Sequence, residues 1–129
     1  MNNIFLEKRK SSPEVNFDAG SGLLHLTGES YPENSFDFYA PLLAWLQEFL
    51  DTSPLPVRLI LTLSYINTGT VKCLLELFDQ LEAAADQGRD VGITWYYDPD
   101  NERALETGEE FSEDLKVPFE LIGEKHGCS

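Results

Sequence analysis

Read from its start, the chain shows three short stretches near residues 4–6, 14–17 and 22–28 whose apolar positions suit strands. In the third, Leu24, Leu26 and Gly28 share one side while Leu23, His25 and Thr27 share the other. Asp18-Ala19-Gly20-Ser21-Gly22 separates the last two stretches, and its glycines can supply the positive φ of a hairpin turn. The period then lengthens. Phe38, Leu42, Trp45, Leu46 and Phe49 recur at helical spacing within residues 31–52, with Asn34 or Ser35 placed to cap the helix. Pro41 removes one helical hydrogen bond, so it is expected to kink this helix or to mark its true start. Ser53-Pro54-Leu55-Pro56 ends it.

Residues 57–66 (VRLILTLSYI) make the clearest strand. Leu59, Leu61, Leu63 and Tyr65 take one face, while Ile60 and Thr62 keep the other fairly apolar, the pattern of a central strand in a helix-covered sheet. After Asn67-Thr68-Gly69-Thr70 comes a long amphipathic helix to about Asp86, with Val71, Leu74, Leu75, Phe78, Leu81 and Ala85 as its expected buried stripe. Gly88 ends it where a left-handed residue is needed. Residues 91–97 (VGITWYY) are a further strand, Asp98-Pro99-Asp100 a turn, residues 101–111 a shorter acidic helix and residues 119–122 a last short strand. The order is β-β-β-α-β-α-β-α-β. Right-handed crossovers then give neighbouring parallel strands. The expected fold is α/β: a single domain over residues 1–129 with a mixed sheet, helices mainly on one face, and a loose tail from about 123 to 129.

Composition narrows the function. A hydrophobic fraction of 42% in 129 residues can fill a core. The sequence has no run of about 18 apolar residues to span a membrane. Residues 1–10 lack the features of a secretory signal. Cys73 and Cys128 do not make a disulfide framework, which fits a reducing cytoplasm. Nine basic against 23 acidic residues leave a net charge of −14. That field repels nucleic acid and anionic membrane and favours partners with basic faces. The acids are densest from Asp98 to Lys116, where eight stand against two bases, a pattern that is either a docking patch or a solvated helix face.

Little in the chain suggests catalysis. His25 and His126 lie far apart with no second ligand at metal spacing, so no metal or other cofactor is expected. There is no nucleophile elbow and no phosphate-cradling loop followed by lysine. Attention falls instead on Asn67-Thr68-Gly69-Thr70, two hydroxyls and a glycine at a helix start. The plain interpretation is an N-cap, contributing about 1 kcal/mol. The sharper one is a phosphorylation site. A phosphate carries a charge of about −1.5 to −2. It suits the unpaired N–H groups and dipole of a helix N-terminus, yet it burdens any interface laid over the spot. Such a change switches binding and leaves the fold alone.

The strand–hydroxyl–helix junction resembles that of STAS-type anti-sigma-factor antagonists. Three longer segments carry a closer resemblance: Ser30-Tyr31-Pro32-Glu33-Asn34 leading into Phe38-Tyr39-Ala40-Pro41-Leu42, then Tyr65-Ile66-Asn67-Thr68-Gly69-Thr70, and Val91-Gly92-Ile93-Thr94-Trp95-Tyr96-Tyr97 with Asp98. Through them the chain, from about residue 5 to 122, resembles the SiaC family of bacterial regulatory phosphoproteins. The resemblance implies a STAS-like fold, no enzymatic activity and a phosphoacceptor at Thr68. It also implies three partners: a serine/threonine kinase that adds the phosphate, a metal-dependent phosphatase that removes it, and a diguanylate cyclase. The unphosphorylated form binds and activates that cyclase, raising cyclic di-GMP and promoting aggregation or biofilm. An alternative is an antagonist that sequesters an anti-sigma factor or kinase through the same switch. A third is a ligand binder or small enzyme using Trp95, Tyr96 and Tyr97.

Partner contacts are expected on exposed residues around the switch: Asn67, Gly69, Thr70, Lys72 and Glu76. Phe36, Phe38 and Tyr39 are a second candidate surface and the acidic 98–116 segment a third. The sequence leaves open whether Ser64 or Thr70 is also modified.

Overall fold

The computed structural model describes residues 2–124, and within them the period-two stretches become one six-stranded sheet. In chain order the elements are β1 (Ile4–Leu6), β2 (Glu14–Asp18), β3 (Leu23–Ser30), α1 (Ser35–Thr52), β4 (Val57–Ile66), α2 (Thr68–Asp86), β5 (Val91–Tyr97), α3 (Glu102–Asp114) and β6 (Phe119–Gly123). The strands lie side by side in that same order. The pairs β1–β2 and β2–β3 are antiparallel. The three pairs from β3 to β6 are parallel. Gly22 closes the β2–β3 hairpin at a φ of 75°, and a Cβ built there would strike the Pro56 carbonyl oxygen.

Each parallel step requires a crossover, and three successive crossovers of the usual right hand place α1, α2 and α3 on one face. Burial agrees with that layering. Leu24 and Leu26 of β3, Leu59, Leu61 and Leu63 of β4, and Ile93 and Trp95 of β5 are buried. The alternate residues Ile60, Thr62 and Thr94 are only half-buried. The expected layering, with helices mainly on one face, is therefore met: the far face of β4 is only partly covered because α1, α2 and α3 cross on the other side. Tyr65, expected in line with the buried leucines, is 46% exposed, because the β3–β4 register shifts between Gly28 and Glu29 and breaks the alternation after Leu63.

The helices also refine the sequence reading. Asn34 caps α1, its side chain accepting from the Asp37 N–H at 3.1 Å. Pro41 lies inside α1 and does not mark its start. The missing N–H would have bonded Asp37, an exposed residue whose carbonyl is within reach of water. In α2 the buried stripe is Thr70, Cys73, Leu74, Leu77, Phe78 and Leu81. Leu75, expected inside, is 43% exposed, and Val71 and Ala85 are half-buried. Both sets keep three- and four-residue steps, and the observed one is the neighbouring stripe, turned towards Thr70, Cys73 and Leu77. Gly88 ends the helix with a φ of 96°, as expected. The acidic helix runs to Asp114 and β6 takes in Gly123, which pairs with Tyr97. Most of the expected tail, with His126 and Cys128, lies outside the described residues.

Candidate functional site

The crossover from β4 to α2 takes a single residue, Asn67, in an extended conformation at φ −90° and ψ 174°. Its side-chain oxygen accepts from the Thr70 N–H at 2.8 Å, the usual satisfaction of an orphan donor at a helix start. Thr68 is the first helical residue, and it is exposed. Gly69 is second and sits against α1: a Cβ built there would come within 2.6 Å of Ser35 Oγ and 3.0 Å of Ser35 Cβ. Glycine is what lets the two helix starts approach so closely.

The segment that leads into α1 wraps this junction. Asn67 N–H donates to the Ser30 carbonyl at 3.0 Å. The Asn67 side-chain amide donates to the Pro32 carbonyl at 3.4 Å, and Ser35 Oγ donates to Asn67 Oδ1 at 3.3 Å. Ser30 Oγ lies 2.8 Å from both Tyr39 OH and Thr70 Oγ1, and Thr70 Oγ1 also donates to the Ser30 carbonyl at 3.0 Å. Ser30, Tyr39 and Thr70 are all fully buried. Burial pushes the phenol of Tyr39 well above its ordinary value, so it stays neutral. Ser30, Pro32 and Ser35 hold the junction in place, a part for which the sequence pattern gave no sign beyond Ser35 as a possible cap of α1. Pairing across 32 or more positions leaves no periodic signal.

These facts sort the expected contact residues. Lys72 and Glu76 are exposed, and Asn67 and Gly69 are half-buried at the rim. Thr70 is corrected: at 0% exposure it cannot touch a partner, because its side chain points under α2 towards Ser30. Phe36 is 62% exposed, whereas Phe38 is half-buried and Tyr39 belongs to the core. An open groove of about 960 Å³ runs between the starts of α1 and α2, lined by Glu33, Phe36, Asn67, Lys72, Leu75 and Glu76 among others. Phe36 and Leu75 are its exposed large apolar side chains, and Asn67 and Gly69, which flank Thr68 in the chain, line it as well.

The electrostatics of the three helix starts differ. α1 carries Asp37 in its first turn and α3 carries Glu102, but α2 has no acid there. The positive end of the α2 dipole is thus left without a carboxylate, with a hydroxyl at its tip.

Other regions converge less. The acids of α3 from Glu102 to Asp114 are exposed, while Ala104, Gly108 and Phe111 face inward, the layout of a solvated helix face. Trp95 is 1% exposed and donates to the Ala104 carbonyl at 3.0 Å, so it is core. Tyr96 and Tyr97 border a smaller cleft of about 260 Å³ with Thr27 and Thr62. Among the described residues no cluster of His, Cys, Asp and Glu has a metal-holding arrangement, and no helix is long and apolar enough to cross a membrane.

With this geometry in place, a family model described as "SiaC family regulatory phosphoprotein" matches residues 6–124. The chain belongs to the SiaC family. An uncharacterized protein of Pseudomonas aeruginosa is 37% identical over 121 residues, covering 94% of this chain and 96% of that one. The crystal structure of apo-SiaC from Pseudomonas aeruginosa is similar with a TM-score of 0.91 and 35% identity, over 95% of this chain and 100% of that chain. SiaC in a crystal structure of the Pseudomonas aeruginosa diguanylate cyclase SiaD with its activator SiaC is similar with a TM-score of 0.90 and 36% identity, over 94% of this chain and 99% of that chain. The STAS-like arrangement expected from the sequence is thus the SiaC fold, with six strands and three helices.

Proposed function

We propose that this chain is a cytoplasmic, non-catalytic regulator that binds and activates a diguanylate cyclase, and that phosphorylation of Thr68 switches the binding off. The observation that carries the reading is the start of α2. Thr68 presents an exposed hydroxyl at a helix N-terminus with no first-turn acid, beside a groove with exposed Phe36 and Leu75. The SiaD complex of a SiaC 36% identical to this chain supports the cyclase as partner.

A phosphate at Thr68 meets the free N–H groups and dipole of α2, so the folded domain tolerates it. A partner seated in the groove meets about −1.5 to −2 of new charge within its contact area and must desolvate it. The fold persists and the complex does not. A serine/threonine kinase adds the group, a metal-dependent phosphatase removes it, and the free form raises cyclic di-GMP and with it biofilm formation. The anti-sigma-factor alternative uses the same switch with another partner, and the SiaD complex of the relative favours the cyclase.

The test is cyclase turnover with three forms of the protein. Unmodified protein and Thr68→Ala should both activate, Thr68→Ala should ignore the kinase, and kinase-treated protein carrying one phosphate on Thr68 should not activate. Full activation by the phosphorylated form would sink the proposal.

A further inference from the structure

The junction holds two threonines in opposite surroundings, and the difference assigns them different parts in the switch. Thr68 is exposed. Thr70, two residues on, is fully buried, and its hydroxyl is engaged on both sides. One proton order satisfies all of these contacts, because a carbonyl can only accept. Thr70 Oγ1 donates to the Ser30 carbonyl at 3.0 Å, so the 2.8 Å contact with Ser30 Oγ uses the serine hydrogen. Ser30 Oγ in turn accepts from Tyr39 OH at 2.8 Å. Each of the three hydroxyls donates once, and none is left unsatisfied.

This chain of hydroxyls crosses three elements. Tyr39 is on α1, Ser30 ends β3, and Thr70 lies in the first turn of α2. The Ser30 carbonyl accepts from both Asn67 N–H and Thr70 Oγ1, so one residue holds the cap and the third helical residue together. Thr68 and Gly69 lie between those two anchors. Buried, fully paired networks of this kind fix one geometry, because breaking a link leaves a polar group stranded in the core.

We propose that Thr70 is the positioning residue of the switch: its buried hydroxyl fixes the first turn of α2 so that Thr68 is presented in one place to both kinase and cyclase, and burial keeps Thr70 itself unmodified. The proposal rests on Thr68 being the phosphoacceptor. In-line attack on a nucleotide γ-phosphate needs an oxygen with open approach, which Thr68 has and Thr70 lacks.

The experiment compares Thr70→Val, which keeps the shape and loses the hydroxyl, with Thr70→Ser, which keeps the hydroxyl. Phe111→Leu, on the far helix, serves as a control of comparable thermal destabilisation. Readouts are cyclase affinity, the rate of kinase labelling, and the mapped phosphosite. Thr70→Val should lose about tenfold in affinity, the scale expected when a buried partner group is stranded. Its labelling rate should fall by up to about a hundredfold, the scale for a reacting group displaced by about 1 Å. Thr70→Ser should recover most of both, and Phe111→Leu should keep both near wild type. Wild-type behaviour of Thr70→Val, equal losses in Phe111→Leu, or phosphate on Thr70 of the wild-type protein would each overturn the proposal. A wild-type protein that the kinase never labels on Thr68 would instead overturn the phosphoacceptor reading, and the affinity comparison would still decide the role of Thr70.

Discussion

Two strand-to-helix junctions in this molecule are built alike and charged differently. At the start of α2, Asn67 accepts from the Thr70 N–H at 2.8 Å; at the start of α3, Asn101 accepts from the Ala104 N–H at 3.1 Å. Each asparagine also donates to a neighbouring carbonyl, of Pro32 and of Ser64 respectively. The next residue is where they part. α3 begins with Glu102, a permanent negative charge at the positive end of its dipole. α2 begins with Thr68, which is neutral and exposed. The same backbone device thus carries a carboxylate at one junction and a neutral hydroxyl at the other.

The second difference is anchoring. α3 is held by apolar packing, with Phe111 edge-on to Phe78 and Trp95 at centroid distances of 5.1 and 5.6 Å. The start of α2 is held by a part-buried hydrogen bond to α1 and a buried one to β3. Phe111→Ala should therefore give the largest stability loss, about 3–5 kcal/mol, in chemical denaturation. Correct folding without that loss would remove the contrast. Next come two glycines. Gly69→Ala and Gly108→Ala both introduce contacts under 3 Å, with Ser35 Oγ in one case and with Leu121 and Trp95 in the other, and each should cost about 1–3 kcal/mol. Only Gly69→Ala should also weaken cyclase binding, because it parts the two helix starts that border the groove.

Titration sharpens the contrast further. Burial raises the pKa of Tyr39 in the folded state, so the unfolded chain loses its phenol proton first. The stability this group contributes is complete below its unfolded pKa and declines as pH rises through the alkaline range. The slope above about pH 10 should approach 1.4 kcal/mol per pH unit, and Tyr39→Phe should abolish it in pH-dependent melts. Asn67→Ala should cost about 1 kcal/mol or somewhat more. Asn101→Ala should cost no more than Asn67→Ala, since Asn67 Oδ1 also accepts from Ser35. The smallest effects are those of charge. Thr68→Glu should add about 0.3–1 kcal/mol and Glu102→Gln remove about as much, both shrinking in high salt.

The sequence carried the element order, the parallel pairing through β4 and a cap somewhere in Asn67-Thr68-Gly69-Thr70, because each rests on local period or local hydrogen bonding. It pointed to Thr68 through the family resemblance together with its place at a helix start, and the structure has Thr68 exposed as the first helical residue. Thr70 was misplaced on the surface, and Leu75 was expected inside. A helix in which apolar and small residues stand in adjacent pairs admits two stripes, and only the packing of α1 against α2 chooses between them. The one-sided helical layer followed from the element order, whereas Ile60 and Thr62 taken alone suit a covered strand as well. The hydroxyl chain through Ser30 and Tyr39 joins residues up to 40 apart in sequence and leaves no local mark.

The central claim is that charge at Thr68 acts on the interface and spares the fold. The most direct measurement takes one preparation phosphorylated on Thr68 and determines both its melting temperature and its affinity for the cyclase, beside the unmodified protein. The account predicts an equal or higher melting temperature together with at least a tenfold loss of affinity, a difference of about 1.4 kcal/mol or more. Unchanged affinity, or a loss of binding that comes with a lower melting temperature, would contradict it.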